Sequence, residues 1–401
     1  MLKKKILDQQ LNNGSKKVFF CKKCVVSNQR PRLTFDQSGV CSACQYAYHK
    51  YHEINWDQRE KELLQLLKKH RSPDGAYDVI VPGSGGKDSS FVAHLLKEKY
   101  GMHPLCVTWA PFQYTDIGWK NFNSFVDSGF DVFNCFPNGQ LHRKLARVAF
   151  ELKGDAWEPF AFGQKAYAFH MALKFKIPLI FYGENGEVEY GGSMQNADKP
   201  FESVADWEQL YFKGAGVEKL VAAGLKMGIF SQKEITPNSF YFYKIPPLKE
   251  IEKAKIQMHW MSYYRKWIPQ ENYYYAVEKT GFEANPSRSE GTYSKYASLD
   301  DKTDGFHFYL AFIKFGIGRC TSDAAHEIRD GHLTREEGVA LAKRFDGEFP
   351  QKYFKEFLEY LNISEKKFWQ VVNRYRQKHI WKKVKGEWKL RHTVAKDGCD
   401  D

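Results

Sequence analysis

Short apolar runs alternate with amphipathic segments through the first half of the chain. Four runs have the length and composition of buried strands, and they cover residues 77–82, 103–109, 130–135 and 177–182. Segments with apolar residues at helical spacing lie between and before them, at residues 89–100, 118–128, 138–153 and 157–176. Strands that alternate with helices predict an α/β fold, with a doubly wound parallel sheet that helices cover on both faces.

The same patterns divide the chain into four regions. They are an N-terminal arm with a cysteine-rich ribbon, a linker helix, the α/β domain and a helical C-terminal region with a basic tail, at residues 1–50, 51–76, 77–320 and 321–401. The linker helix is predicted over residues 56–70, and an aromatic-rich insertion at 200–300 shows no period that would order further strands. Ser322, Thr334 and Ser364 are predicted N-caps in the last region, and Thr334 begins a capping box.

Composition and charge narrow the class of protein. The 401-residue chain has a mean hydropathy of −0.58 and no apolar run near the length of a membrane span. Its first residues turn polar at once and lack a signal-peptide core, so we expect a cytoplasmic protein with no membrane partner. Much of the net charge of +12 lies near the two ends of the chain. Basic residues there are explained by solvent-exposed surface or by binding of an anionic small molecule. We do not expect a nucleic-acid partner.

A run rich in glycine and serine links the first predicted strand to the next helix. It reads Gly83-Ser84-Gly85-Gly86-Lys87-Asp88-Ser89-Ser90. Glycines at such a turn let the backbone approach an anion, and the helix start offers free N–H groups and the positive end of its dipole. A Walker A loop is excluded because Asp88 follows Lys87, and a dinucleotide fingerprint would need a third glycine at position 88. The run therefore predicts a phosphate site of another class.

Four cysteines near the N-terminus have the spacing of a metal site. The pairs Cys21/Cys24 and Cys41/Cys44 are both C-x-x-C, separated by sixteen residues. Four thiolates can close a tetrahedral site, and a segment of roughly 30 residues cannot bury enough core to fold without such a staple. We predict structural Zn²⁺, with an iron–sulfur cluster or free thiols as the alternatives.

The run Ser-Gly-Gly-x-Asp-Ser resembles the PP-loop of the N-type ATP pyrophosphatases. Enzymes of that superfamily have a HUP-like parallel sheet, cleave ATP between the α- and β-phosphates and adenylate an oxygen of their substrate. The resemblance implies ATP and Mg²⁺ as cofactors.

Further segments resemble one family within that superfamily. They are the ribbon, Val107-Thr108-Trp109-Ala110-Pro111, Tyr182-Gly183-Glu184-Asn185-Gly186-Glu187 and the run from Phe315 to Ala325. Together they are similar to the N-acetyl sugar amidotransferases of bacterial surface-polysaccharide biosynthesis, which make lipopolysaccharide, O-antigen and flagellar nonulosonic acid sugars. The resemblance implies an ATP-dependent C–N ligase. It would adenylate the acetamido oxygen of an N-acetylated sugar or sugar nucleotide and replace that oxygen with ammonia, to give an acetamidino group.

The resemblance and the chemistry nominate site residues. Phosphate and pyrophosphate binding is assigned to Ser84, Gly85, Gly86, Lys87, Asp88, Ser89, Ser90 and Gly183. Lys87 points either into the site or into solvent, and Asp88 either acts in catalysis or caps the helix. Glu184 and Glu187 are candidates for contact with Mg²⁺ or substrate, with a solvated acidic turn as the alternative.

Four further positions complete the candidates. Lys314 and Arg319 are candidate pyrophosphate clamps, because an arginine fork suits phosphate. His142 and Arg143 follow the Pro137-Asn138-Gly139 turn and either contact an acidic sugar or lie on the surface, and we favour the surface position.

The source of ammonia is indicated by what the chain lacks. An N-terminal nucleophile glutaminase needs Cys at position 2, where this chain has Leu2. Cys106, Cys135 and Cys320 do not lie in the G-x-C-x-G context of a triad glutaminase. We therefore expect a separate glutaminase and a cyclase-like, ammonia-channelling subunit as partners.

Two other functions stay open at this point. A tRNA-modifying PP-loop enzyme, a thiolase or a lysidine synthetase, would adenylate a base carbonyl and use the positive charge to bind RNA. A zinc-ribbon interaction protein with a decayed nucleotide domain would leave residues 83–90 as an ordinary strand-to-helix turn, and the complete run argues against that decay.

Overall fold

A computed structural model describes residue 11 and residues 15–201 and 216–397 of the chain. Leu2, Cys399 and residues 202–215 lie outside the described residues. Among the residues that are described, none of the helices combines the length and the apolar character that a membrane span requires.

The core of the molecule is a parallel sheet. Its strands are β1 Val79–Pro82, β2 Pro104–Trp109, β3 Val132–Cys135, β4 Leu179–Tyr182 and β5 Gln257–Trp260. Within the described ranges these five strands are ordered β3-β2-β1-β4-β5, and every pair is parallel. The chain order reverses between β1 and β4, where sheets of this kind open a ligand crevice at the carboxyl ends of their strands.

Helices precede, connect and follow these strands. Those of the first half are α1 Ser42–His52, α2 Trp56–His70, α3 Lys87–His94, α4 Asp116–Asp127, α5 Gly139–Lys153, α6 Glu158–Phe175 and α7 Gly186–Glu189. The next group is α8 Gly216–Lys226, α9 Leu248–Lys253, α10 Met261–Tyr264 and α11 Pro269–Thr280. The last group is α12 Asp304–Phe315, α13 Arg319–Arg329, α14 Arg335–Phe345, α15 Phe354–Leu361, α16 Glu365–Arg374 and α17 Val394–Asp397.

Alternate strand residues pack on opposite faces of the sheet, as the period of an extended chain requires. Val79 and Val81 of β1 join a core with apolar residues of α2 and α3, whereas Ile80 joins a core with α5 and α6. Both faces are therefore buried, which explains the continuous apolar runs that the strands show. The predicted α/β fold with a parallel sheet is confirmed.

The prediction of a wholly helical C-terminal region is wrong. Within it, β6 Trp381–Val384 and β7 Glu387–Leu390 form an antiparallel hairpin. Ser322 is not an N-cap, because α13 begins three residues earlier. Thr334 and Ser364 do cap their helices, and the capping box at Thr334 is complete. Strand β5 was missed although Ile256, Met258 and Trp260 alternate with Gln257 and His259, because this alternation is short and lies in the aromatic-rich segment between helical stretches.

The C-terminal region packs against both the sheet domain and the ribbon. An aromatic core joins α12, α15, α16 and the hairpin to Phe150 of α5. A second core joins the ribbon cysteines to Ala324 and Ala325 of α13. The Arg335 side chain donates to the carbonyl oxygens of Cys21 and Cys24 at 3.2 and 3.3 Å. The ribbon is therefore held between the C-terminal helices and the rest of the chain.

Candidate functional site

The glycine-rich run lies where the sheet order reverses, at the carboxyl end of β1. It leads directly into α3, whose N-cap is Gly86. No side chain caps this helix start, so Asp88 is not its cap. The first N–H groups of a helix have no partner within it, and here they point to the crevice between β1 and β4. The local structure is thus the one that the sequence predicts for an anion site.

Gly85 allows the loop to pack closely. Its φ is +80°, and a Cβ at this position would lie 2.7 Å from Cα of Phe122 in α4. Both the left-handed backbone and the contact require glycine. The neighbouring Ser84 hydroxyl donates to Asp300 Oδ2 at 2.6 Å, and Ser89 donates to the carbonyl of Gly86 at 3.0 Å. These bonds fix the loop.

A cavity of about 470 Å³ opens above the loop. Its volume falls within the range of small-molecule sites. The loop and the end of β4 form its floor, with Ser84, Gly86, Lys87, Asp88, Ser89, Gly183 and Glu184. An aromatic wall comes from α6, β4 and β5, with Trp157, Phe160, Tyr182 and Trp260. The opposite wall comes from residues 294–304 and one face of α13.

That face of α13 is polar. Arg319, Asp323, His326, Glu327 and Asp330 line the cavity, and they recur at the spacing of one helical face. The Arg319 Nε donates to Asp323 Oδ1 at 2.9 Å, and its guanidinium lies 4.2 Å from the centre of the Phe308 ring. The arginine fork is thereby positioned at the cavity.

The cavity carries an excess of carboxylates. Its described lining holds three side chains with a permanent positive charge, Lys87, Lys165 and Arg319, against eight carboxylates, which are Asp88, Glu184, Asp300, Asp301, Asp304, Asp323, Glu327 and Asp330. Burial, with a smaller effect from Asp88, raises the pKa of Glu184 to about 7. Burial also raises the pKa of Asp300 to about 6. Perturbed pKa values of this kind cluster at functional sites, and a cation placed beside these carboxyls would favour their ionised form.

The structure brings most of the sequence-predicted residues to this cavity. Lys87 lies in its wall, where its ammonium pairs with the Asp88 carboxylate. Asp88 also accepts from Asn272 at 3.2 Å. Gly85 and Ser90 support the loop from behind, since Ser90 is fully buried and Gly85 packs on α4.

Two predicted residues lie away from the cavity. The Glu187 carboxylate accepts hydrogen bonds from two nitrogens of the Arg32 guanidinium and from the backbone N–H of Ser193. It therefore links the ribbon to the segment that follows β4. Arg32 outweighs the effect of burial and lowers the pKa of Glu187. Lys314 is buried below α5, where its ammonium donates to the carbonyl of Lys153 at 3.4 Å.

The acidic wall of the cavity was not predicted from the sequence. Asp300 and Asp304 line the cavity and belong to an Asp-Asp-x-x-Asp run that directly precedes and begins α12. This acidic run was visible in the sequence, but nothing local placed it at the site. Its position is set by the contact of Asp300 with Ser84, which lies 216 positions away. Ser298 in the same wall has a φ of +56°, and its buried hydroxyl has no hydrogen-bond partner among the residues that the structure describes. The segment is therefore held in a strained conformation beside the cavity.

The surface position predicted for His142 is wrong. The ring is 3% exposed, stacks on Phe112 with centroids 4.5 Å apart, and lies within hydrogen-bond distance of the Tyr243 hydroxyl at 2.6 Å. Burial lowers its pKa to about 3. Its place on the inner face of the amphipathic α5 puts it in the core.

The four ribbon cysteines form a metal-binding geometry. Their sulfur atoms all lie within 4.8 Å of one another, and all four residues are buried. The sulfurs of Cys21 and Cys44 are 3.9 Å apart, and those of Cys24 and Cys41 are 3.7 Å apart. A tetrahedron with Zn–S bonds of about 2.3 Å has edges of about 3.8 Å. The donor set therefore fits Zn²⁺ in a closed, structural site.

A buried ion network links the ribbon to the cavity. Lys50 of α1 is 1% exposed and donates to Glu189 Oε2 at 3.1 Å, to Asp330 Oδ1 at 3.2 Å and to the carbonyl of Trp267 at 3.0 Å. His326 Nε2 lies 3.6 Å from Glu189 and 3.5 Å from Asp330. The network joins α1, α7 and α13. Two of its residues, His326 and Asp330, line the cavity.

Comparisons with known proteins bear on the polar wall. Residues 290–394 match the family model described as "LPS biosynthesis protein WbpG-like, C-terminal domain". This match links the C-terminal part of the chain to lipopolysaccharide biosynthesis. A stretch of 88 residues is 34% identical to "Uncharacterized protein MJ1599" of Methanocaldococcus jannaschii, and it covers 22% of this chain and 31% of that protein. The chain therefore spans about a third of the length of this curated relative.

Proposed function

We propose that this chain is an ATP-dependent amidotransferase of surface-polysaccharide biosynthesis. It adenylates the acetamido oxygen of an N-acetylated sugar or sugar nucleotide and replaces that oxygen with ammonia, giving an acetamidino group. The observation that carries the proposal is the composition of one cavity. Its floor is the Ser84–Ser89 loop at the carboxyl end of β1, and its polar wall lies in the segment similar to a lipopolysaccharide-biosynthesis domain.

The loop suits the phosphates of ATP. Ser84, Gly85, Gly86, Lys87, Asp88, Ser89 and Ser90 form or support a helix N-terminus, which favours anions through its free N–H groups and its dipole. Lys87 and Arg319 face the same cavity and supply positive charge to the departing pyrophosphate. Glu187 and Lys314 are left out of the active set, because both lie outside the cavity.

The carboxylates suit Mg²⁺. A nucleotide polyphosphate would be repelled by a cavity with eight carboxylates and three fixed cations, unless divalent cations entered with it. Asp88, Glu184 and Asp300 are the side chains that would hold them, because oxygen ligands are those that Mg²⁺ prefers. Bound Mg²⁺ would neutralise charge on the phosphates while the α-phosphorus exchanges its bond to pyrophosphate for a bond to the acetamido oxygen.

The chemistry follows from the weakness of an amide as an electrophile. Its oxygen attacks the α-phosphorus of ATP, the bond to the β-phosphate oxygen breaks, and pyrophosphate leaves. The resulting O-adenylyl imidate has a good leaving group on carbon, so ammonia can add to that carbon and AMP can depart. Ammonia comes from a separate glutaminase through a cyclase-like subunit, and the four-cysteine ribbon holds Zn²⁺ for stability.

Mass spectrometry of the reaction products tests the proposal. The protein would be incubated with ATP, MgCl₂ and ammonium chloride, and with UDP-N-acetylglucosamine, UDP-N-acetylgalactosamine or CMP-N-acetylneuraminic acid. Replacement of the acetamido oxygen by NH lowers the mass of the sugar by about one unit, and equal amounts of AMP and pyrophosphate accompany it. ADP formation, or AMP release that requires tRNA instead of a sugar, would overturn the proposal.

Matched variants assign the reaction to this cavity. Asp88→Asn keeps the shape of the side chain and removes its charge, so we expect turnover to fall by roughly 100-fold or more. Asp57→Asn changes an exposed carboxylate at the start of α2 and should leave turnover within about twofold.

A further inference from the structure

His326 differs from the other polar residues of the cavity wall in its burial and its neighbours. The residue is 4% exposed and lines the cavity from the last turn of α13. Its ring stands perpendicular to that of Tyr190, with centroids 5.0 Å apart. Tyr190 in turn follows α7 and lines the same cavity as Glu184. The imidazole therefore lies beside the floor on which the adenylated substrate would sit.

One ring nitrogen of His326 faces two carboxylates. Nε2 lies 3.6 Å from Glu189 Oε2 and 3.5 Å from Asp330 Oδ2, and within the described part of the chain no group approaches it at hydrogen-bond geometry. These distances allow ion pairing with either carboxylate once the ring is protonated. Since Nε2 is directed at the carboxylates and His326 lines the cavity, a proton exchanged with a molecule in the cavity would pass through Nδ1.

Neighbouring residues fix both carboxylates. Lys50 bonds to Glu189 and Asp330 at once, and the Tyr51 hydroxyl donates to Asp330 Oδ1 at 3.0 Å. With a neutral histidine, the buried group Lys50, Glu189 and Asp330 has a net charge of −1. A proton on His326 would bring that charge to zero, so the two carboxylates offset part of the cost that burial and Arg329 impose on the charged ring.

We propose that His326 is the base that takes the proton from the ammonia nitrogen, a role that rests on the function proposed above. Glu189 and Asp330 orient the ring and stabilise its charged form, and Lys50 positions both carboxylates. The arrangement is that of a histidine base backed by a carboxylate, assembled from α1, α7 and α13.

Ammonia adds to the carbon of the N-protonated O-adenylyl imidate, forming a C–N bond and a positively charged nitrogen. His326 accepts one proton from that nitrogen. The C–O bond to the adenylyl group then breaks, its electron pair leaves with AMP, and the nitrogen lone pair forms the amidinium. The proton on His326 is released to solvent after the product leaves.

The resting state of the ring agrees with this role. Burial lowers the pKa of His326, and Arg329 on the same helix acts in the same direction, whereas Glu189 and Asp330 act against them. A neutral ring is the form that can accept a proton. The charged and titratable groups around it are Lys50, Glu189, Tyr190, Arg329 and Asp330.

Separate assays of the two half-reactions test the role. His326→Gln should lower ammonia-dependent amidine formation at pH 7.5 by roughly 100- to 10,000-fold. The same variant should keep sugar-dependent exchange of labelled pyrophosphate into ATP within about threefold, because adenylation does not use this base. Hydroxylamine, which loses its proton more readily than ammonia once added, should restore much of the lost rate.

Two further variants separate a catalytic from a structural role. His379→Gln replaces a histidine that contacts Gln29 at 3.0 Å outside the cavity, and it should keep wild-type rates. Glu189→Gln keeps the side-chain shape and should lower amidine formation by roughly tenfold with exchange unchanged, as expected for an orienting residue.

The outcomes distinguish the two proposals. If the wild type makes amidine and His326→Gln does so within twofold of it at constant free ammonia, the role of His326 is overturned and the proposed function stands. Equal loss of exchange and amidine formation in His326→Gln would also overturn the role, because it would indicate a structural defect. If the wild type converts no sugar of the panel, both proposals fall.

Discussion

Replacement of Lys50 by methionine tests the buried network that joins the ribbon to the cavity. Methionine has a similar length and leaves the apolar packing of the stem in place. The change removes the ammonium from two carboxylates that are each 2% exposed and from the carbonyl of Trp267. Glu189 and Asp330 would then face each other in the interior without the ammonium that bonds to both carboxylates.

The cost of this change follows from burial. Removing one partner of a buried ion pair costs about 3–5 kcal/mol, because the other charge stays desolvated. The free energy of unfolding of a typical protein is about 5–15 kcal/mol, so the variant should lose a large part of its stability. Lys50 helps to lower the pKa of Glu189 against the effect of burial, and its loss should raise that pKa. Adding Glu189→Gln removes one unpaired charge and should recover at least about 1 kcal/mol.

Urea unfolding of the zinc-loaded protein, followed by circular dichroism, measures these differences. Lys355→Met is the matched control, because Lys355 and Glu359 form an exposed pair on α15, and its effect should stay within about 0.5 kcal/mol. A loss below about 1 kcal/mol for Lys50→Met, with no recovery in the double variant, would refute the reasoning.

Three further predictions concern packing, protonation and the metal. Gly163→Ala should destabilise the protein by about 1–3 kcal/mol in urea unfolding, although alanine is the better helix former, because its Cβ would lie 2.0 Å from the Trp109 side chain. The control Gly139→Ala should be neutral, because its Cβ would meet no described atom within 4 Å. The pKa of His142 is about 3 in the folded protein, so the unfolded chain takes up a proton first as pH falls below the ordinary value of about 6.5. Protonation of His142 in the unfolded chain should therefore lower the free energy of unfolding by about 2 kcal/mol between pH 6.5 and 5. In His142→Gln this contribution is absent, so the free energy of unfolding should fall less over the same pH range. Cys44→Ser should reduce bound zinc, measured by plasma mass spectrometry, well below one ion per chain and should increase proteolysis of the ribbon; full zinc retention would contradict the four-cysteine site.

Features with a local pattern were predictable from the sequence. Apolar periodicity predicted strands β1 to β4 and the helices between them, although their bounds differ, as for α3, which is predicted over 89–100 and found over Lys87–His94. The bounds of α2 are those that its pattern predicts. The cysteine pairs and the loop from Gly83 to Ser90 carry their meaning within a short segment, since spacing and turn chemistry act between near neighbours. Errors arose where the local pattern was weak or misleading, as for β5, the C-terminal hairpin and His142.

The composition of the cavity was decided by the tertiary structure. Lys50 meets Glu189 across 139 positions and Asp330 across 280, and Ser84 meets Asp300 across 216. Glu184 and Glu187 belong to one short motif. Glu184 lines the cavity, whereas Glu187 pairs with Arg32 of the ribbon. The sequence by itself determined the elements, the thiolate set and the loop, because these depend on contacts between residues close in the chain. Which carboxylate, lysine or histidine reaches the cavity depends on how the packed helices and the ribbon are placed, and only the folded chain settles that.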